Sequence, residues 1–205
     1  MKNLKDKNVK LFVVSHKKIN KKYYPDREVI YVGPNEDKIW EEGYYKDNLG
    51  DNIANKNSSF CECTAMYYIW KNVDCDIVGI EHYRRVFSYG FKMKTMQYFI
   101  KKLKKYDFIV MNEYPFLPTI RQQFCKYHDK KYLDLLEEAI RETEPSYLEA
   151  FNKVMDGHRL AWCNMLVTTK ENYDKFCSFL FNVLFYVDAH ISLLMIRIKK
   201  EWLAF

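Results

Sequence analysis

The sequence predicts an α/β domain with a mostly parallel central sheet and a helical C-terminal half. Three observations carry that expectation. Short apolar runs of strand length stand at 9–14 (VKLFVV), 77–80 (IVGI), 108–111 (FIVM) and 160–167 (LAWCNMLV), and near-continuous apolar runs are what a sheet buried on both faces requires. Amphipathic helical stretches alternate with them, the pattern left by crossovers between parallel strands. The composition supplies a core: of 205 residues, 48% are hydrophobic and 17% aromatic, with six Gly and five Pro. Collagen-like, low-complexity and disordered chains are thereby excluded.

The elements follow in order. Residues 9–14 form the first strand and end in Ser15-His16-Lys17. Residues 18–51 are broken by Pro25, Gly33, Pro34, Gly43 and Gly50 and read as loop with a short helix. Ser59 opens a helix: Ser59-x-x-Glu62 has the spacing of a capping box, which accounts for Glu62 without a function, and Ala65, Ile69 and Val73 follow at helical intervals. The second strand, 77–80, runs into Glu81-His82-Tyr83-Arg84-Arg85. Thr95 caps a helix whose Met96, Phe99, Ile100 and Leu103 share a face. Residues 108–111 read as a third buried strand. Beyond them, 130–143 carries Leu133, Leu136 and Ile140 on one stripe, and Pro145 opens a helix with Leu148, Phe151 and Met155 that Gly157 stops. Residues 160–167 read as a fourth strand and 172–187 as a last amphipathic helix. No repeat or linker interrupts the chain.

Lys and Arg outnumber Asp and Glu by 33 to 27, a net charge of +6. That excess suits an anionic partner: nucleic acid, an anionic membrane surface or a phosphorylated small molecule. The lysine clusters at 17–22 and 101–105 read as solvated faces. The six Cys include no Cys-x-x-Cys pair, and the N-terminus (MKNLKDKNVKLFVV) lacks the apolar core of a secretory signal. Both point to a reducing cytoplasm and mostly buried free thiols. The longest uncharged apolar stretch, 176–187, has twelve residues, whereas a membrane span needs roughly 20.

Ligands of open α/β sheets bind outside the carboxyl ends of the strands. Ser15-His16-Lys17 and the 81–85 segment lie there. Two adjacent arginines can hold phosphate oxygens with their guanidinium forks; equally, one can pair a carboxylate while the other faces solvent. Asp74-Cys75-Asp76 has the Asp-x-Asp spacing of a divalent-metal site but precedes its strand, so it reads as a turn at the opposite end of the sheet. His128 and His158 read as surface residues. Asn164 interrupts an apolar run and must find a partner, backbone or ligand. No P-loop, Gly-x-Gly-x-x-Gly, Gly-x-Ser-x-Gly or His-Glu-x-x-His occurs.

Several segments together carry a resemblance: FVVSHK (12–17), GDNIANKN (50–57), CECTAMYYIWKN (61–72), VGIEHYRRVF (78–87), YDFIV (106–110), PSYLEAFNKV (145–154) and Asn164-Met165-Leu166. In this order they resemble a family of bacterial glycosyltransferase domains of exopolysaccharide and capsular polysaccharide synthesis, labelled a domain of unknown function. The resemblance spans about residues 9 to 187. It implies a GT-A-like nucleotide-binding fold and transfer of a sugar from a nucleotide-sugar donor to a lipid-linked glycan, with the protein cytoplasmic and peripheral to the inner membrane face. By position it implies donor and diphosphate binding by Ser15, His16, Lys17, Asp51, Asn52, Lys56, Asn57, Thr64, Tyr83, Arg84 and Arg85. The motif also includes Glu62, His82 and Asn164; from their chemistry we expect Glu62 or His82 to act as base on the acceptor hydroxyl of an inverting reaction, and Asn164 to contact acceptor or sugar. No cofactor is required by these residues; a divalent Mg²⁺ or Mn²⁺ is compatible with them. The competing reading is a non-catalytic binding protein, whether a degenerate transferase domain or a basic nucleic-acid binder, although no nucleic-acid motif is present.

The resemblance also bears on the end of the chain, LLMIRIKKEWLAF (193–205), where the family carries a segment resembling Ser-Tyr-Asp-x-Tyr-Gln-x-Arg followed by Gly-Phe. A back-translation of 193–205 with permitted codons, read from the third base of Leu193, encodes SYDPYQKRMVGF. The codons of Met195 and Trp202 allow no choice, and both fit. The expectation is a frameshift near residue 190. Residues 1–190 would then be the native domain and 191–205 an aberrant tail, an exposed apolar liability that impairs activity.

Overall fold

The computed structural model describes residues 7–161 and 163–202, with side chains described through 191 except at position 36. Ten strands occur among them: β1 (Val9–Ser15), β2 (Glu28–Tyr31), β3 (Tyr45–Lys46), β4 (Ile77–His82), β5 (Ser88–Tyr89), β6 (Lys92–Met93), β7 (Phe108–Val110), β8 (Tyr114–Pro115), β9 (Arg159–Leu160) and β10 (Leu166–Thr169). The main sheet has the order β3-β2-β1-β4-β10-β7. β1 pairs in parallel with both β2 and β4, and β2 with β3, while β10 is antiparallel to its neighbours β4 and β7. Five of the six strands therefore run one way, as a mostly parallel sheet demands. Leu11, Phe12, Val13, Val78 and Ile80 are fully buried, which explains why β1 and β4 are apolar without alternation. Gly79 sits between Leu11 and Val167 in the register; a Cβ there would lie 2.5 Å from Leu11 Cδ2, so the centre of the sheet leaves no room for one.

The helices are α1 (Glu36–Ile39), α2 (Asn57–Phe60), α3 (Cys63–Asn72), α4 (Met96–Lys102), α5 (Ile120–Tyr127), α6 (Lys130–Thr143), α7 (Leu148–Met155) and α8 (Lys170–Trp202). Thr95 caps α4, its hydroxyl accepting from Tyr98 N at 3.3 Å. α6 has the bounds that its Leu133–Ile140 stripe predicts, and Pro145 enters α7 through a short 3-10 turn. No described helix is long and apolar enough to cross a membrane.

Four local expectations are corrected. The 18–51 stretch contains β2 and β3: β2 has only four residues, too short for a periodic signal, yet Val29, Ile30 and Tyr31 are fully buried beside β1. The 160–167 run is not one strand, because the backbone turns at Cys163 (φ 73°) and Asn164 (φ 48°) between β9 and β10. β7 is not buried: at the sheet edge Phe108 and Val110 stay 40% and 48% exposed. Finally, no capping box forms at Ser59. α2 ends at Phe60, Cys61 takes φ 48°, and α3 begins with Glu62 at its N-cap position making no side-chain cap bond. A capping box does form where the sequence reading placed no helix, between Thr119 and Gln122 at the start of α5.

The chain divides into two compact units. One is the chain up to Asn112 with the return segment ending at Cys177; it holds the main sheet, and Leu11, Ile77, Phe87, Phe99, Met165 and Val167 form its core on the α4 face. The fully buried Tyr173 of α8 donates its hydroxyl to Met66 O of α3 at 2.9 Å. The other unit is Glu113–Ala161 with the chain from Ser178 onward; Ile120, Leu133 and Met155 form one of its cores, and Ala139, Ile140 and Val183 another. The backbone of α8 is helical to Trp202 and so includes most of the segment expected to be an aberrant tail, whose side chains beyond 191 and residues 203–205 lie outside the described residues.

Candidate functional site

The parallel strands β2 and β4 lie on opposite sides of β1, so the connections leaving the carboxyl ends of β1 and β4 depart in different directions and open a crevice. A cavity of about 180 Å³ occupies this place, lined by Ser15, His16, Asn57, Glu62, His82 and Tyr83 among others. Its lining comes from the ends of β1 and β4, the turn after β2, and the broken joint between α2 and α3. Gly33, in that turn, has φ +91°, and a Cβ there would stand 3.1 Å from Asn57 Oδ1.

Each side chain is fixed by a local reason. Ser15 Oγ accepts from Lys17 N (3.1 Å) and donates to Lys17 O (2.6 Å), folding His16 and Lys17 outward. Asn57 Nδ2 donates to Cys61 O and to Thr64 Oγ1, both at 2.9 Å, and the Thr64 hydroxyl donates to Cys61 O at 3.0 Å. These bonds hold Cys61 in its left-handed conformation. With Cys61, Cys163 and Asn164 at the site, three of the four non-glycine residues with positive φ among the described residues cluster here, and such strain, of order 1–3 kcal/mol each, persists only where surrounding structure enforces it.

The absence of the capping box frees Glu62. Its Oε1 accepts from Asn164 Nδ2 at 2.8 Å across 102 positions of sequence, and its other oxygen has no partner among the described residues. His82 Nε2 meets the carbonyl of Cys163; a carbonyl only accepts, so Nε2 carries the proton and a neutral ring leaves Nδ1 unprotonated. The turn bearing Cys163 and Asn164 is thus held from β4 while its Asn164 side chain holds Glu62. The two expected catalytic residues and Asn164 come together.

Lys17, Arg84 and Arg85 are not among the cavity's lining residues; they follow the lining residues His16 and Tyr83 in the chain. His16 and Tyr83 meet edge to face at 5.3 Å, Arg84 lies over the Tyr83 ring at 5.3 Å, and Tyr83 N donates to Val14 O. Tyr24 donates its hydroxyl to Tyr83 O, and burial raises that phenol above its ordinary value. Arg84, Arg85 and Lys17 are exposed, with no ion-pair partner among the described residues. Nor does the structure bring Asp51, Asn52, Lys56 or the buried Thr64 into the cavity's lining. Asp51 is bound by Tyr67 OH and by the Asn72 amide, Asn52 caps Ala54 N, and Lys56 lies over the Phe60 ring; all three shape the approach to α2. Asp74 and Asp76 are at the amino end of β4 as expected, Asp76 Oδ2 accepting from Asn8 N at 2.7 Å.

Two features escaped the sequence reading. Arg27 and Glu81 form a buried ion pair, 2% and 0% exposed, Nε to Oε2 at 2.8 Å and Nη2 to Oε1 at 3.2 Å; Glu81 also accepts from Phe87 N at 2.8 Å, and Arg27 donates to Lys94 O at 2.9 Å. This pair ties Phe87 and Lys94 of the segment after β4 to the strand. The sole trace in sequence is a Glu following a run of buried apolar residues. Asp47, just after β3, is fully buried with neither carboxylate oxygen partnered among the described residues, although its backbone N donates to Tyr31 O at the end of β2. Buried polar atoms without a partner are rare in folded proteins.

Four side chains of metal-ligating type line the cavity, His16, Cys61, Glu62 and His82, and the Nε2 of His82 is engaged; no cluster of three or more His, Cys, Asp or Glu that could hold a metal occurs among the described residues. The neighbouring Cys63 thiol is pushed up to about 12, first by burial and then by Glu62 and Cys61, so it stays protonated.

Comparison with curated protein sequences finds no match. Among solved structures, the fold is similar to the apo structure of WbbM, a bifunctional glycosyltransferase, with a TM-score of 0.71 and 21% identity. The likeness covers 89% of this chain but 37% of that one, and at this identity it speaks for the fold. A family model matches residues 10–201, and the chain accordingly belongs to the family described as Domain of unknown function, DUF4422.

Proposed function

We propose that this chain is a glycosyltransferase that moves a sugar from a nucleotide-sugar donor to a glycan acceptor. The observation that carries the reading is Glu62: a carboxylate at the carboxyl end of the sheet, released from helix capping, oriented through one oxygen by Asn164 and open at the other. In an inverting course, Glu62 takes the proton of the acceptor hydroxyl as the new glycosidic bond forms and the nucleoside diphosphate departs. Lys17, Arg84 and Arg85 offset the charge growing on that diphosphate, with His16 and Tyr83 beside them. His82 acts as a positioning residue, holding the Cys163–Asn164 turn, and Asn164 serves both Glu62 and the sugar. Ser15, Asn57 and Thr64 maintain the loops around the donor; Asp51, Asn52 and Lys56 support them from behind. Likeness to a bifunctional glycosyltransferase supports the reaction class. The finer parts of the proposal are a role in capsular, exopolysaccharide or lipopolysaccharide synthesis, a lipid-linked acceptor, and a peripheral place at the cytoplasmic membrane face.

The test is a panel of nucleoside diphosphates and nucleotide sugars in thermal unfolding, followed by product analysis with the donor that stabilises. A ligand at a hundred times its Kd adds about 2.7 kcal/mol to the native state, which is readily seen. Failure of every nucleotide and nucleotide sugar to raise the unfolding temperature refutes the reading.

A further inference from the structure

The basic charge of this protein is not spread over it. Between Glu81 and Asp107 the sequence has no acidic residue and eight cations, from Arg84 to Lys105. Outside that segment 25 basic residues face 27 acidic ones, so the entire net charge of +6 resides in this one stretch of chain. It folds as the β5–β6 hairpin followed directly by α4.

Two apolar features lie in the same stretch. The hairpin turns at Gly90 (φ +57°) and Phe91, and its tip presents Phe91 fully exposed and Tyr89 81% exposed. Lys94 lies over the Tyr89 ring at 5.1 Å, which places a cation directly behind the aromatic tip. Along α4 a cavity of about 770 Å³ is lined by the apolar Val9, Met96 and Ile100 together with Lys7, Lys101 and Lys104. None of these three lysines has an ion-pair partner among the described residues.

We infer that the segment from the β5–β6 hairpin through α4 is a docking surface for an anionic phospholipid bilayer. Tyr89 and Phe91 enter the interface, where aromatic rings partition favourably, and the lysines of α4 meet the lipid phosphates, each near-surface cation adding attraction. The apolar side of the α4 cavity accepts acyl-chain surface that a nucleic-acid backbone does not offer, and this decides between the two polyanions. The inference names the surface for the membrane association proposed above but does not rest on sugar transfer, since vesicle binding requires no nucleotide.

Flotation with vesicles of phosphatidylcholine alone and of phosphatidylcholine mixed with phosphatidylglycerol tests it. The protein is expected to bind the mixed vesicles at least about a hundredfold more tightly, with the gain lost at high salt. The double variant Y89S/F91S, altered only at exposed positions, is expected to weaken binding about tenfold at any salt concentration. The variant K101Q/K102Q/K104Q/K105Q is expected to weaken it about a hundredfold and to remove the salt dependence. Nucleotide-induced stabilisation of Y89S/F91S should match the unaltered protein, which separates loss of docking from loss of the transferase reading. Equal binding to both vesicle types, or a tip variant that binds as well as the original, overturns the inference. So does an oligonucleotide that binds more tightly than the anionic vesicles.

Discussion

Replacing Glu81 by Gln tests how the rim of the cavity is held. Glu81 accepts three hydrogen bonds, two from the Arg27 guanidinium and one from Phe87 N, and both partners of the pair are buried. A glutamine amide keeps one acceptor but turns the other oxygen into a donor. Either Phe87 N–H or an Arg27 N–H then faces a donor, and the guanidinium loses its counter-charge. Breaking one side of a buried pair costs about 3–5 kcal/mol. Arg27 retains Lys94 O at 2.9 Å and Pro25 O at 3.3 Å, which places the expected loss at the lower end, about 3 kcal/mol. For a chain of this size that corresponds to a fall in Tm of roughly 6–12 °C. Urea unfolding of E81L, R27M and the double variant R27M/E81L, alongside E81Q, forms a cycle in which the apolar pair should recover most of the loss. The same pair anchors the segment bearing Tyr83, Arg84 and Arg85, so E81Q should also weaken nucleotide stabilisation while the protein is still folded. An E81Q protein within about 1 kcal/mol of the original in urea refutes the argument that this pair fastens the loop.

Further outcomes are expected. Glu62→Gln should lower turnover by about 10²–10⁴-fold while leaving donor-induced stabilisation intact; a loss of donor binding instead would move Glu62 from acceptor activation to donor binding. Arg84→Ala with Arg85→Ala should abolish stabilisation by nucleoside diphosphates, read in the same thermal assay, and retained affinity would remove their role at the diphosphate. Alkylation of the native protein should label the exposed Cys61 and Cys125 and spare Cys63, Cys75 and Cys177, whose thiols burial pushes up to about 12, 11 and 12. Because Cys61 lines the cavity, a bound donor should protect it. The folded state holds these three thiol protons where the unfolded chain releases them, so stability should decline as pH rises above the ordinary thiol range near 8.5. The reading-frame expectation for 191–205 is checked on the gene, where a one-base shift should uncover SYDPYQ-like coding; its absence disproves the frameshift.

The elements legible in sequence were those whose cause is local. β1 and β4 announce themselves as apolar runs because both faces of the sheet are covered, Thr95 and the 130–143 stripe mark α4 and α6 because capping and helical periodicity act within a few residues, and the end-of-strand rule placed His16 and His82 at one crevice. What the sequence left hidden depends on partners far away along the chain. β2 is a strand because β1 lies beside it. Glu62 fits a capping box by spacing, and only Asn164, 102 positions later, shows that its carboxylate is held elsewhere. The 160–167 run reads as one strand interrupted only by Asn164, until β4 supplies the ring that meets Cys163 O and the backbone is seen to turn there. Arg27 and Glu81 look like any other charged residues until burial leaves each with only the other's charge nearby. Local sequence thus determined β1, β4, α4 and α6 and the strand ends at which the candidate site lies. Tertiary structure decided which carboxylate at the crevice keeps an open oxygen, because only the assembled fold determines which polar groups are already satisfied.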